Sequence, residues 1–273
     1  MKKQHIIGSL IVIILAGILT PSIAAAFVSI DTSGASPQTT GSIIINGQPA
    51  IADAGTYQQI EERILKATVR FYIETWVVNA GDAGYDIDYS SGHGTVKDGR
   101  YLVTHNHFNV PLSIRPRDGE PELYTTLILA NSRGEILYKG PLSDFELAWE
   151  DPETVVIAHQ DDGFFEELGF ESADFKEWSS VPLEAGMEVA QVDWDGTTTR
   201  VDWATVQEVS VHDGTPRLVL ADDVTIGASG GGIFWQGVHI ANNWRQVQQF
   251  DGSGTLINAV TTVALNSAEV GDG

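Results

Sequence analysis

From Thr68 onward the chain is a succession of short runs rich in Val, Ile, Thr and aromatic residues, broken at close intervals by Gly, Pro, Asn and Asp. β-Branched and aromatic side chains fit a pleated, half-buried surface, and turn residues at such spacing leave no room for long helices. The runs are 68–78, 95–97, 100–104, 123–129, 135–138, 145–149 and 154–158, then 188–192, 200–211, 217–221, 232–235 and 238–241. Asp98-Gly99 between two of them is a strong signal for a two-residue hairpin with a primed turn. The stretch 159–182 divides the runs into two clusters, more than one small barrel needs, so two packed β units are expected. One helix precedes them. Thr56 followed by Gln59 matches a capping box, and Tyr57, Ile60, Ile64 and Leu65 repeat at helical spacing, which predicts a helix over 57–66.

The first 26 residues read as an address. Lys2 and Lys3 precede an apolar run from Ile6 to Leu19, followed by Pro21 and the small residues Ala24, Ala25 and Ala26. These are the three parts of a secretory signal peptide, which predicts a secreted, periplasmic or extracellular protein. An uncleaved anchor spanning from Ile6 to Val28 is the alternative; with cleavage, no stable membrane association is expected. Residues 27–56 read as a flexible leader and 57–273 as the folded domain. There is no cysteine, which excludes disulfides, thiolate metal sites and cysteine nucleophiles. The 37 Asp and Glu against 15 Lys and Arg give a net charge of −22, which argues against a nucleic-acid partner and against docking on anionic lipid. Between Asp144 and Asp174 stand eleven acidic residues and no Lys or Arg. Such a run reads as a solvated face, with calcium as the other reading; no cofactor or metal is otherwise implied.

Three segments carry chemistry. Gly227-Ala228-Ser229-Gly230-Gly231 surrounds a serine with glycines, whose missing Cβ atoms let backbone N–H groups approach a substrate carbonyl. Thr104-His105-Asn106-His107 ends the hairpin strand and offers two imidazoles able to take a serine proton. Asp144-Phe145-Glu146-Leu147 puts an acid at the start of a hydrophobic strand, where it can anchor a histidine's second nitrogen or lie exposed in a turn.

In this order the segments resemble the trypsin/chymotrypsin-like serine peptidases, in particular the small bacterial members without disulfides. Gly92-His93-Gly94 running into Thr104-His105-Asn106-His107 resembles the family's Gly-x-Gly hairpin and Thr-Ala-Ala-His block. Asp144 to Leu147 resembles its Asp-[Ile/Phe]-Ala-Leu block, with Glu146 for Ala. Gly227 to Gly232 resembles Gly-Asp-Ser-Gly-Gly-Pro, with Ala228 and Gly232 as departures. The resemblance implies two packed six-stranded Greek-key barrels, about 67–165 and 180–265. It also implies a serine endopeptidase acting on protein or peptide substrates through an acyl-enzyme. The implied roles are Ser229 as nucleophile, His107 as general base with His105 as rival, Asp144 as the residue orienting the imidazole, and the N–H groups of Gly227 and Ser229 as oxyanion hole.

In the family's digestive members the acid before the serine receives a new N-terminal amine after zymogen cleavage. Ala228 cannot form that pair, so cleavage-dependent ordering of the loop is not expected. Asp223, six residues before Ser229, matches the carboxylate that selects basic side chains, or else lies in a solvated turn. Asn243-Trp244-Arg245 falls on the family's Ser-Trp-Gly stretch, so that Trp244 lines the specificity pocket and Arg245 narrows it or attracts acidic side chains. Two rivals remain. The literal Gly-x-Ser-x-Gly also fits an α/β-hydrolase elbow, but the chain lacks alternating helices, and only His239 follows the serine. A catalytically inactive relative serving as a binding module is the other.

Overall fold

The computed structural model describes residues 44–45, 48–49, 54–78, 85–106, 122–212, 215–221 and 224–271. The expected signal peptide, His107 and Asp223 lie outside the described residues, as does most of the expected leader. A two-residue ladder joins β1 (Ile44–Ile45) to β2 (Gln48–Pro49). Helix α1 (Ala54–Ala67) follows, three residues longer at its start than the capping box predicts. It passes without a loop into β3 (Thr68–Val78), and the Thr68 hydroxyl donates to the Ile64 carbonyl at the junction.

The first β unit runs β4 (Tyr85–Lys97), β5 (Tyr101–His105), β6 (Glu122–Ala130), β7 (Ile136–Pro141), β8 (Phe145–Glu150) and β9 (Thr154–His159). Between β4 and β5, Asp98 and Gly99 both have positive φ, as a type I′ turn requires. With β3 these strands form one antiparallel sheet in the order β7-β6-β3-β4-β5-β9-β8. The fold class is as expected; within it the first unit is a seven-stranded sheet curled into a half-barrel, and no ladder joins β7 to β8. The reason is local. The two free edges are consecutive in sequence and meet at the single 3₁₀ turn Leu142–Asp144, so the sheet curls until a turn, rather than hydrogen bonds, bridges its edges. Pro141, without an N–H, ends β7 at that edge. Leu142 and Phe145 drop from the turn into a core of Val69, Phe71, Leu102, Leu127 and Ile157. The short helix α2 (Phe164–Glu167) adds Phe165 to that core, and the Phe165 N–H donates to the Gly99 carbonyl.

The second unit is a closed six-stranded barrel, β10-β11-β12-β15-β14-β13, as expected. Its strands are β10 (Glu188–Trp194), β11 (Thr199–His212), β12 (Thr215–Leu220), β13 (Gly232–Trp235), β14 (Val238–Phe250) and β15 (Leu256–Leu265). Val189, Val206, Leu218, Ile233, Ile240 and Val263 fill its interior. Strand β14 runs nine residues past the expected end, and β15, which closes the barrel between β12 and β14, was not among the expected runs.

Several segments tie the units together. Ile64 of α1 packs on Ala190, Val192 and Phe234 of the barrel, while the Trp203 indole N–H donates to Glu61. Residues 171–178 bond to Lys66 and Val96 on one side and to His239 and Asn266 on the other. The terminal helix α3 (Ala268–Gly271) buries Val270 beside Val103, Val156 and Phe175. Among the described residues no helix is long and apolar enough to cross a membrane. Emptying the first core tests this packing: Phe165→Ala is expected to cost about 3–5 kcal/mol in a urea titration, and a loss under about 1 kcal/mol would contradict full burial of the ring.

Candidate active site

The loop Thr225–Gly231 consists of two consecutive turns. The Ala228 N–H donates to the Thr225 carbonyl at 3.0 Å, and the Gly231 N–H to the Ala228 carbonyl at 2.9 Å. Gly227 (φ 108°) and Gly230 (φ 77°) occupy the third corner of each turn, where positive φ is required. Ser229 therefore sits at the second corner of the second turn, between two glycines that set its position.

Both β units hold this loop. The His93 N–H of β4 donates to the Ser229 carbonyl at 2.9 Å, while the Gly230 N–H donates to the Asn243 carbonyl of β14 at 3.0 Å. A Cβ on Gly230 would lie 2.2 Å from the Thr104 hydroxyl, 2.3 Å from the His93 carbonyl oxygen and 3.2 Å from the His105 nitrogen. Only glycine fits there. The Asn243 side chain donates to the Val192 carbonyl at 2.7 Å and the Ala228 carbonyl at 3.3 Å, and accepts from Gln191. Buried Asp193 accepts from the Thr225 N–H at 2.8 Å and is paired with Arg200 at 2.7 Å.

The Gly227 carbonyl is held from the first unit. Arg70 donates to it at 2.6 Å and the His93 Nδ1 lies 3.0 Å away, while His93 Nε2 is 2.8 Å from the Thr199 hydroxyl. A neutral imidazole satisfies both contacts, with Nδ1–H donating to the carbonyl and Nε2 accepting from Thr199. Burial, reinforced by the adjacent guanidinium, lowers the His93 pKa to about 3, so the ring is uncharged at neutral pH.

Among the described residues nothing accepts a hydrogen bond from the N–H groups of Gly227 or Ser229. Both residues line one cavity of about 130 Å³, together with Asn243, Trp244, Arg245 and Gln246. Trp244 is the extra residue of a β-bulge, between the pairs Asn243–Val263 and Arg245–Thr262. The Arg217 guanidinium lies 4.0 Å over its ring, and the buried His105 ring is 6.3 Å away. Exposed Arg245 makes no ion pair among the described residues. The structure thus brings Ser229, Gly227, Trp244 and Arg245 to one cavity.

It does not bring Asp144 there. Ser229 bonds to β4 at His93, near the β5 end at His105. Strand β5 pairs with β9 from His105–Thr154 to Tyr101–Ala158, and β8 pairs its Phe145 with His159 at the far end of β9. Asp144 therefore lies about 17 Å along the sheet from the His105 end, at 3.4 Å per residue, and its carboxylate accepts from the Tyr138 hydroxyl at 2.9 Å. The acid that opens the strand beside the histidine segment is Glu153. Its backbone carbonyl accepts from the Asn106 N–H, and its nearly buried carboxylate pairs with Arg217. Asp151 beside it accepts from the Glu153 and Thr154 N–H groups, and burial raises its pKa. No group of three or more His, Asp or Glu among the described residues forms a metal site, the described acidic run 144–174 included.

Sequence reasoning missed Arg70, Asp193, Glu153 and Arg217, and read His93 only as part of a hairpin block. Asp151-Pro152-Glu153 before a run of β-branched residues was the available signal for the acid.

The sequence matches no protein-family profile, and no curated protein sequence matches it either. Solved structures with the same architecture include the HtrA-type protease AlgW with a decapeptide. It is 14% identical, with a TM-score of 0.54 over 77% of this chain and 63% of that one. The fold is that of the trypsin-like serine proteases. Deg5 superposes with a TM-score of 0.49 at 15% identity over 76% of this chain and 88% of its own. The Mycobacterium tuberculosis protease Rv3671c in its active form superposes at 0.47 and 13% identity over 80% and 82%. The chain spans 63% of the length of the HtrA-type protease, and the likeness is one of fold.

Two buried histidines of this trypsin-like fold fix its response to acid. His93 and His239 both titrate near 6.5 when unfolded and are lowered to about 3 by burial in the folded state. Between those values only the unfolded chain binds the protons, so stability is complete above about pH 6.5 and is lost as pH falls. The slope is up to about 1.4 kcal/mol per pH unit for each ring. Urea midpoints at pH 7 and pH 5 should fall accordingly; equal midpoints would mean that the two rings are not buried in neutral form.

Proposed function

We propose that this chain is an exported serine endopeptidase. The observation that carries the reading is Ser229, set by two glycine turns on the wall of a cavity, beside two backbone N–H groups that no described acceptor uses. In an acyl transfer the Ser229 hydroxyl attacks the scissile carbonyl and its proton passes to His107. The oxygen of the tetrahedral intermediate, newly negative, is received by the N–H groups of Gly227 and Ser229. His107 then returns the proton to the leaving amine, and water repeats the cycle on the acyl-enzyme.

The orienting acid in this reading is Glu153 rather than Asp144. It opens the strand next to the histidine segment, and its pairing with Arg217 keeps a carboxylate at that end of the sheet. The decapeptide held by the HtrA-type protease supports a peptide as substrate class. Trp244 and Arg245 on the cavity wall favour an apolar or acidic side chain over a basic one, since a guanidinium repels Lys and Arg and attracts carboxylates. Export follows from the basic, apolar and Ala-rich parts of residues 1–26.

A fluorophosphonate probe tests the reading directly. Covalent capture is expected for the wild-type chain and not for Ser229→Ala; a folded wild-type protein that is never captured would leave the binding-module reading in its place. On a cleaved peptide, Glu153→Gln should lower kcat at least about a hundredfold, as loss of an orienting acid does, whereas Asp144→Asn should leave it within about twofold. The reverse ranking would return the role to Asp144. Cleavage by His105→Ala with none by His107→Ala would support His107 as the base; the opposite pattern would assign it to His105.

A further inference from the structure

The most unusual charge in the molecule lies behind the serine loop. Arg70 is 4% exposed, and no carboxylate lies within ion-pair distance of it among the described residues. A guanidinium withdrawn from water without a counter-charge is unfavourable unless every available partner is used well. Arg70 stacks 4.3 Å over the Trp194 ring and 5.1 Å from the Tyr72 ring, and donates to the Ser91 hydroxyl at 2.8 Å. Its shortest hydrogen bond, 2.6 Å, goes to the Gly227 carbonyl. That oxygen belongs to the Gly227–Ala228 peptide unit, which joins two residues of the serine loop on the cavity wall.

The consequence is geometric. A peptide unit is planar, so fixing its carbonyl also fixes its N–H. With the Gly227 oxygen held by Arg70 and His93, the Ala228 N–H points to the Thr225 carbonyl. Gly227, at φ 108°, is the residue about which such a unit could otherwise turn over with little resistance. Ala228 provides no carboxylate for a chain-end amine, so the loop needs another fastening. We infer that Arg70 is a positioning residue that pins the Gly227–Ala228 peptide from inside the first β unit, keeping the loop in one orientation without a charge pair to a new chain end. The catalytic consequence rests on the peptidase reading; the pin itself does not.

The test is hydrogen exchange at single amides by NMR, with kinetics alongside, on the wild-type chain, Arg70→Met and Arg70→Lys. In Arg70→Met the Ala228 amide should exchange at least about tenfold faster, because its bond to Thr225 opens with the loop. Amides of β11 should remain as in the wild type. The kcat should fall about a hundredfold, as for loss of an oxyanion donor, with KM changed less than about threefold, and Arg70→Lys should recover part of both effects. If Arg70→Met does not fold, Arg70→Gln, two bonds too short for the carbonyl, is judged by the same criteria. Unchanged exchange at Ala228 in a folded variant would overturn the pin, whatever the activity. A wild-type chain that escapes the fluorophosphonate while Arg70→Met loosens Ala228 would overturn the peptidase reading and keep the pin. Equal capture of both proteins with unchanged exchange would do the opposite.

Discussion

The absence of a side chain at Gly230 is the constraint on which the site depends. At that point the loop from the barrel meets the first sheet so closely that the Thr104 hydroxyl and the His93 carbonyl occupy the place of a Cβ. The Ser229 carbonyl completes the contact by accepting from the His93 N–H. A serine on a glycine-rich turn would ordinarily move with its loop. Here the turn is sewn to β4 on one side and to Asn243 of β14 on the other, so its conformation is a property of the interface and not of the loop alone. The units that form this interface are joined elsewhere by α1, by residues 171–178 and by α3, which makes the site the product of the whole fold.

Charge is distributed around the loop in an unusual way for so acidic a chain. The carboxylates are numerous, yet the group nearest the Gly227 carbonyl is a cation, and the imidazole beside it is kept neutral. Asp193, a buried carboxylate touching the loop, has Arg200 as its counter-charge and uses its other oxygen on the Thr225 N–H. On the opposite side Glu153 has Arg217, which in turn lies over Trp244. Among the described residues the buried cations are Arg70, behind the serine loop, and Arg217, beneath the cavity wall.

What was legible in the sequence was local. Asp98-Gly99 specified its turn because both residues accept positive φ, and the glycines around Ser229 advertised a special backbone for the same reason. The runs at 68–78, 145–149, 154–158 and 232–235 were readable from β-branched and aromatic content. Asp144 was read beside the histidine segment because a four-residue string resembles the family block, whereas the position is decided by which strand lies beside β5. That neighbour is β9 and not β8, a non-local pairing no string contains. All seven strands of the first sheet were readable as runs, but that β7 and β8 would form its two edges was not, for the same reason. Arg70 carries no local signal in β3, and only the loop folding onto it from across the molecule makes it a partner of Gly227.

The bulge at Trp244 has a consequence for how such a cavity can change. Strand side chains alternate between faces, and one extra residue on β14 shifts the alternation for everything after it. Removing that residue would restore a regular ladder and turn the following positions, Arg245 first, toward the other side. The lining of the cavity is therefore governed by a count of residues as much as by their identity. A single-codon deletion would reach a binding chemistry that no point substitution at Arg245 can imitate.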